Sequence, residues 1–441
     1  MQTSQTTIPS TLPGVRPLRL AYLVSHPIQY QAPLLRRIAQ EPDIDLTVFF
    51  GSDFSVRGYK DVGFGGVSVK WDIPLLEGYK HVFLPRLRDG NDVTFAMPLN
   101  RGIFSALRGP ALGESLTDAP VSQATRVSVE DNRSHPAFDV LWVHGYATAN
   151  ALQGILAARL LGIPTLIRAE SWLRDRPRGS IKLAFKSVFL SGLGSLIDGV
   201  LPIGTLNSEY WRHYLPDTPQ FPMPYAVDNA YFAERARNAA PDRAQLQSKL
   251  GLDPARPVIL FASKLQPRKH CDHLIAAYAR LAPARGLEPH SYLVIAGDGE
   301  ERAALEAQAR ATGLAGIRFL GFRNQSELPA LFDLASVFVL PSRHEPWGLI
   351  VNEVMNAGTP CIVSDDVGCA PDLISSEVDG FVYPAGDIDA LTDALRSTLA
   401  SPERATAMGE RAFQRIQSWN FEQDIRGLRA ALAHVCPGFA G

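Results

Sequence analysis

Between Val337 and Ile374 the chain reads VFVLPSRHEPWGLIVNEVMNAGTPCIVSDDVGCAPDLI, and this stretch constrains the fold more than any other. The opening run VFVL is the pattern of a buried parallel strand. A Pro-Ser turn follows, then Glu345, then a short helix stopped by Gly358 and Pro360. A second apolar run, CIVS, and a loop carrying Gly368 complete a β-loop-α-β unit. In open α/β sheets such units bind ligands beyond the carboxyl ends of their strands. In helical register Asn352, Glu353 and Asn356 share one stripe, while Leu349, Ile350, Val351, Val354 and Met355 cover the rest. A helix apolar around most of its girth is buried. Glu353 then needs a partner, because an unpaired buried charge is costly; a solvated face is the weaker alternative.

Glu345 and Glu353 are separated by seven residues inside PS-x-x-E-x-x-G-L-x-x-x-E-x-x-x-x-G-x-P. With the flanking Pro341, Ser342, Gly348, Gly358 and Pro360, they resemble the E-x7-E signature of the retaining family-4 glycosyltransferases. The resemblance is strong over the C-terminal half and weak over the N-terminal half. It implies an α/β GT-B fold: two facing Rossmann-like domains with a cleft between them, donor on the C-terminal side and acceptor on the N-terminal side. It further implies that Glu353 meets the nucleotide ribose and Glu345 the donor sugar, as stabiliser or nucleophile. Gly321, Phe322 and Arg323 fall where relatives touch the nucleobase. Gly368 falls in a loop whose small residues let backbone approach the donor.

Charge neutralisation for a leaving diphosphate comes from SKLQPRKHCDHLI, directly after the strand pattern beginning at Val258. Lys264 and Lys269 bracket a proline turn there. Relatives carry G-R-L-x-x-x-K-G; here Ser263, Lys264 and His270 replace the first glycine, the arginine and the last glycine. Lysine keeps the charge and loses the bidentate fork. Backbone N–H groups at Trp347, Gly348 and Leu349 add to the two cations, so neither a metal nor another cofactor is expected. Two Asp-x-Asp matches, Asp43/Asp45 and Asp387/Asp389, sit at the starts of elements and are discounted, the second as a helix cap. Gly297-Asp298-Gly299 lacks the third glycine of a dinucleotide fingerprint, and the following Glu300 and Glu301 would repel a pyrophosphate. Gly297 is kept on the donor side, without a nicotinamide site.

The N-terminal half alternates strand patterns (LRLAYLV, IDLTVFF, FDVLWV, PTLIR, DGVLPI) with helical ones. His26 and Gln29 follow the first strand, where relatives carry a glycine-rich loop; they are cleft candidates. His144 ends FDVLWVH and resembles the family histidine that reaches the donor sugar; Arg168 ends PTLIR at the same sheet edge. Residues 1–16 read as a disordered lead-in, 17–232 as the first domain and 240–418 as the second, with a helix over 419–441 crossing back. Residues 51–85 read as a long surface excursion over the first domain and 109–136 as mobile. Residues 174–193 combine Arg174, Arg176, Arg178, Lys182 and Lys186 with Ile181, Phe185, Val188 and Phe189. Such a segment can lie on an anionic membrane; a surface helix with its apolar face on the first domain is the preferred reading.

At 441 residues the chain is too long for one core. Its net charge of −2 gives no electrostatic case for nucleic acid. Cys271, Cys361, Cys369 and Cys436 have no metal-ligand spacing, and the polar N-terminus has no apolar core of a signal peptide. No run reaches the roughly 18 apolar residues of a membrane span. A cytoplasmic enzyme, free or at the inner membrane face, is expected, taking a nucleotide-sugar (UDP-sugar first, GDP-sugar next) and a glycan, lipid-linked or small-molecule acceptor. The rivals are a sugar-nucleotide epimerase of the same fold and a two-domain sugar-binding protein without chemistry.

Overall fold

The computed structural model describes residues 16–88, 90, 93–109, 136–174, 179–283 and 288–439. The expected lead-in, apart from Arg16, and most of the segment 109–136 lie outside the described residues. Two six-stranded parallel sheets organise the chain. The first contains β1 (Leu18–Val24), β2 (Ile44–Phe50), β5 (Lys80–Phe83), β6 (Val140–His144), β7 (Thr165–Arg168) and β8 (Gly199–Val200). The second contains β9 (Val258–Ala262), β10 (Tyr292–Ala296), β11 (Ile317–Gly321), β12 (Val337–Leu340), β13 (Cys361–Ser364) and β14 (Gly380–Tyr383). A small antiparallel pair, β3 (Tyr59–Asp61) and β4 (Val67–Val69), stands apart.

Both sheets have the same winding: β5-β2-β1-β6-β7-β8 and β11-β10-β9-β12-β13-β14. Counted within each sheet, this is the 3-2-1-4-5-6 order of the doubly wound fold, whose crevice opens where the order reverses. In the second sheet that point lies between β9 and β12, whose carboxyl ends lead into Lys264 and Glu345. The strands read as unbroken apolar runs because both faces are covered. Leu260 and Val294 face one core, Ile259 and Leu293 the other.

The C-terminal helix Phe421–Val435 returns to the first sheet, burying Ile425, Leu428 and Leu432 against Leu20, Tyr22 and Val48. Arg168 belongs to this junction. Its guanidinium donates to the Met223 and Pro224 carbonyls (2.8 and 2.9 Å) and to Asp424 Oδ1 (2.9 Å), and lies over the Tyr225 ring. Arg168 is 2% exposed and Asp424 0%. The cleft role expected for Arg168 is corrected: its charge is spent holding the crossing helix.

Two surface expectations also change. The excursion after β2 runs across to the second half instead of staying over the first domain. Phe64 meets Phe322 edge to face with centroids 4.9 Å apart, and the Lys70 carbonyl accepts from Asn324 Nδ2 (2.8 Å). Asp72 accepts from the Ser326 hydroxyl. The helix Ser180–Gly194 keeps only Leu190 and Leu193 buried; Ile181, Phe185 and Val188 point to solvent. The preferred reading, an apolar face against the first domain, is therefore overturned.

Candidate active site

A cavity of about 280 Å³ opens between the halves at the carboxyl ends of β9 and β12. Lys264, Lys269, Glu345, Gly348, Leu349 and Glu353 line it from below, with Gly297, Phe322 and Arg323 along one side. Gln29 and Tyr30, from the turn after β1, close it from the N-terminal half.

Glu345 is 8% exposed and sits in a ring of cations. Its Oε2 accepts from Lys269 Nζ and, at 3.1 Å, from Arg268. Burial pushes this carboxyl up, and Lys269 with Arg268 more than offsets that, leaving it below the ordinary carboxylate range. Lys269 is itself buried, which lowers its pKa against the pull of Glu345. Lys264 stands across the cavity and is held by Asp61 of β3, both carboxylate oxygens lying 2.9–3.0 Å from Nζ. Glu353, 9% exposed, has no hydrogen-bond partner among the described residues, and burial pushes its pKa up to about 8. The partner demanded by the apolar helix is thus missing, and the carboxyl is neutral at pH 7 instead of paired. Its neighbours in the polar stripe are satisfied: Asn352 accepts from Trp347 Nε1 (3.0 Å) and donates to the Tyr225 carbonyl (3.0 Å).

Glycine supplies close approaches. A Cβ on Gly297 would lie 1.9 Å from the Ser263 carbonyl oxygen, so the β9 and β10 ends converge only without a side chain. Gly348 has φ 92° at the start of the helix Leu349–Met355, which turns that helix toward the cavity. Gly368 serves a different contact from the one expected: its missing Cβ makes room for the Pro346 carbonyl, fixing the loop behind Glu345.

Several expected residues stand outside the cavity lining. Trp347 is 3% exposed, stacked on Trp419 at 5.6 Å, with its indole N–H committed to Asn352; it is a core residue at the junction of the halves. Gly321 ends β11 with φ 73°, close to Arg302, and shapes the turn that presents Phe322. His26 stacks on Phe54 at 4.5 Å, and burial lowers its pKa to about 4. His144 bonds Gln31 Nε2, which lies one residue beyond Tyr30, and Nε2 is 3.8 Å from Glu170. Burial, with help from Arg168, lowers the His144 pKa to about 3, so it is neutral at physiological pH. Both histidines form a layer behind the Gln29–Tyr30 wall. Tyr30 and Tyr225 donate to Glu170 Oε1 at 2.8 and 2.6 Å, which completes that layer.

Sequence reasoning passed over Arg268, Asp61, Phe64, Trp71 and Gln325. Arg268 lay inside the PRK run with Lys269, and its position one residue before a buried lysine was the available signal. Asp61, Phe64 and Trp71 reach the cavity only through the fold. Asp43 and Asp45 are taken by Arg429 and Lys80, and Asp387 caps its helix through Ala390 N. Among the described residues, His270, Asp272 and His273 place ligand atoms within 4.8 Å of one another outside the cavity lining.

Residues 242–415 match the family Glycosyl transferases group 1. An alpha-D-kanosaminyltransferase of Streptomyces kanamyceticus is 34% identical over 171 residues, 38% of this chain and 43% of that protein. A GDP-mannose-dependent alpha-(1-6)-phosphatidylinositol monomannoside mannosyltransferase of Mycolicibacterium smegmatis is 34% identical over 221 residues, 47% of this chain and 54% of that one. The chain thus spans about half the length, or less, of these curated relatives. Anabaena HepE, solved with UDP, superposes with a TM-score of 0.65 over 95% of this chain and 99% of its own, at 16% identity. Residues 242–415 are thus similar to the group 1 glycosyl transferases, and the two doubly wound sheets form a GT-B fold.

Proposed function

We propose that the protein transfers a sugar, with retention at the anomeric carbon, from a nucleoside-diphosphate donor to a hydroxyl of a glycan, lipid-linked or small-molecule acceptor. A UDP-sugar is the first choice and a GDP-sugar the second. A relative of the same fold was solved with UDP and a partial relative is named GDP-mannose-dependent. The observation that carries the reading is the cluster of Lys264, Arg268 and Lys269 around one cavity with Glu345. Three cations suffice to receive the charge on a departing diphosphate, so the step needs no metal ion in this reading. The bond from anomeric carbon to phosphate oxygen breaks, the acceptor oxygen bonds that carbon from the same face, and the acceptor proton passes to the leaving phosphate. Glu345, already bound to two cations, acts here as a charge that orients them and the sugar, not as a nucleophile. The neutral Glu353 carboxyl is free to bond a ribose hydroxyl. Four free cysteines accord with a cytoplasmic setting.

Thermal unfolding with UDP, GDP and ADP tests this. A ligand at a hundredfold excess over its Kd adds about 2.7 kcal/mol, and one base should do so selectively. Lys264→Ala and Glu353→Ala should abolish the shift, EDTA should not, and the matching sugar nucleotide should turn over. No shift with any nucleotide, in folded protein, sinks the proposal.

A further inference from the structure

The helix Ser180–Gly194 carries its apolar side outward. Ile181, Phe185 and Val188, at i, i+4 and i+7, form one stripe and are 72%, 72% and 73% exposed. Phe189 and Leu183 flank it, at 43% and 38%. The inward side is held by Leu190 and Leu193 in the core of the first sheet and by Lys186, whose ammonium lies 4.4 Å from the Tyr210 ring centroid. An amphipathic helix in water turns the other way, so this stripe has a partner.

The imbalance extends over the molecule. Of fifteen exposed large apolar side chains among the described residues, fourteen belong to the N-terminal half and one, Val378, to the C-terminal half. Leu156 and Leu160, 51% and 78% exposed, project from the helix Ala149–Leu161, which shares the Leu190–Leu193 core.

Charge decides what covers the stripe. The sequence from 174 to 193 has five basic residues and one acid, Asp175; with Lys186 turned inward, the helix itself carries the exposed Lys182 and no acid. A second copy of this chain on a two-fold axis would bring these like charges together. An anionic bilayer meets both requirements, taking aromatic and aliphatic side chains at the acyl boundary and the cations at the headgroups.

We infer that this helix docks the protein on an anionic lipid surface. The approach to the helix also touches the active-site loop: His344 Nδ1 donates to the Arg174 carbonyl at 2.8 Å, and His344 adjoins Glu345. Five residues lie between Arg174 and Ser180, so the two are at most about 22 Å apart. Docking therefore brings the cleft close to the bilayer, which selects a lipid-linked acceptor over a soluble one. That last step rests on the transferase reading; the membrane contact does not.

Vesicle flotation tests it, with phosphatidylcholine alone and with about a third phosphatidylglycerol. The wild type should float with the anionic vesicles, less so at high salt. The triple substitution Ile181→Ser, Phe185→Ser, Val188→Ser should cut partitioning roughly tenfold or more, and Lys182→Glu should weaken it. Thermal midpoint and donor hydrolysis should stay at wild-type values in both. Wild type that stays unbound, or a triple variant that floats equally well, overturns the inference. So does a wild-type dimer that the triple variant converts to monomer without any vesicle binding, since the face would then belong to a second copy. Failed flotation with intact donor hydrolysis removes membrane docking alone, whereas flotation without turnover of any donor removes the transferase reading alone.

Discussion

Replacing Asp61 by Asn should tighten nucleoside-diphosphate binding. In the free protein both Asp61 oxygens hold Lys264, at 2.9 and 3.0 Å, where the carboxylate is 11% and the lysine 34% exposed. A diphosphate that takes Lys264 must displace this carboxylate and then lie beside it. An exposed ion pair contributes about 0.2–1 kcal/mol. This one is two-pronged and half sheltered, so about 1 kcal/mol is reasonable for the pair. Relief of repulsion between carboxylate and phosphate adds a similar amount at low salt. Together about 1–2 kcal/mol corresponds to a roughly 5- to 30-fold lower Kd. Asn keeps an oxygen that can accept from Gly63 N, as Asp61 does at 2.8 Å, so the turn should survive. Calorimetric titration of the stabilising nucleotide into wild type, Asp61→Asn, Lys264→Ala and the double variant isolates the coupling. The gain should shrink as salt rises and vanish when Lys264 is absent. Equal or weaker binding by Asp61→Asn would refute the displacement argument.

Three other perturbations follow from buried groups. Glu353 has a folded pKa of about 8 against 4.5 for the free group, so the folded protein keeps a proton that the unfolded chain loses. Stability should therefore fall as pH rises between these values, by about 5 kcal/mol at most; urea melts of Glu353→Gln should lack this slope, and identical pH curves would contradict it. Asp424→Ala strands the Arg168 charge and should cost about 3–5 kcal/mol, read as a lower denaturation midpoint; a loss under 1 kcal/mol would reject the structural role given to Arg168. Gly297→Ala drives a methyl into the Ser263 carbonyl and should lose more than about 2 kcal/mol, along with nucleotide binding, as seen in melting with and without ligand.

What the sequence reveals here depends on how far apart the partners lie along the chain. The unit from Val337 to Ile374 is local: strand, turn, helix and strand follow one another, so burial of Glu353 follows from the apolar residues around it. Arg168 was misread because its position at a strand end was visible while its partner Asp424, 256 residues away, was not. The place of the Trp347 ring was hidden for the same reason, since Trp419 and Tyr225 claim it. The bridge from Asp61 to Lys264 spans 203 residues and joins two folding units. Periodicity in 180–194 showed two faces; which one is covered depends on the neighbouring helices, and Leu190 and Leu193 settle it.

The contacts between the halves also differ enough to say where motion is cheap. At the cavity mouth the bridge consists of Asp61 on Lys264, Asp72 on Ser326, Lys70 on Asn324 and the Phe64–Phe322 edge contact. Most of these are polar and partly wet, and each is individually weak. At the opposite end Arg168 and Asp424 are paired in a core with Leu428 and Leu432, while Asn229 donates to the Ile416 and Trp419 carbonyls from a buried position. Breaking that end strands buried charge and exposes apolar surface. A separation of the halves would therefore pivot at the crossing helix and open at the cavity mouth. A diphosphate would compete with Asp61 for Lys264, removing one tether while Phe64 on Phe322 and Asp72 on Ser326 keep the others.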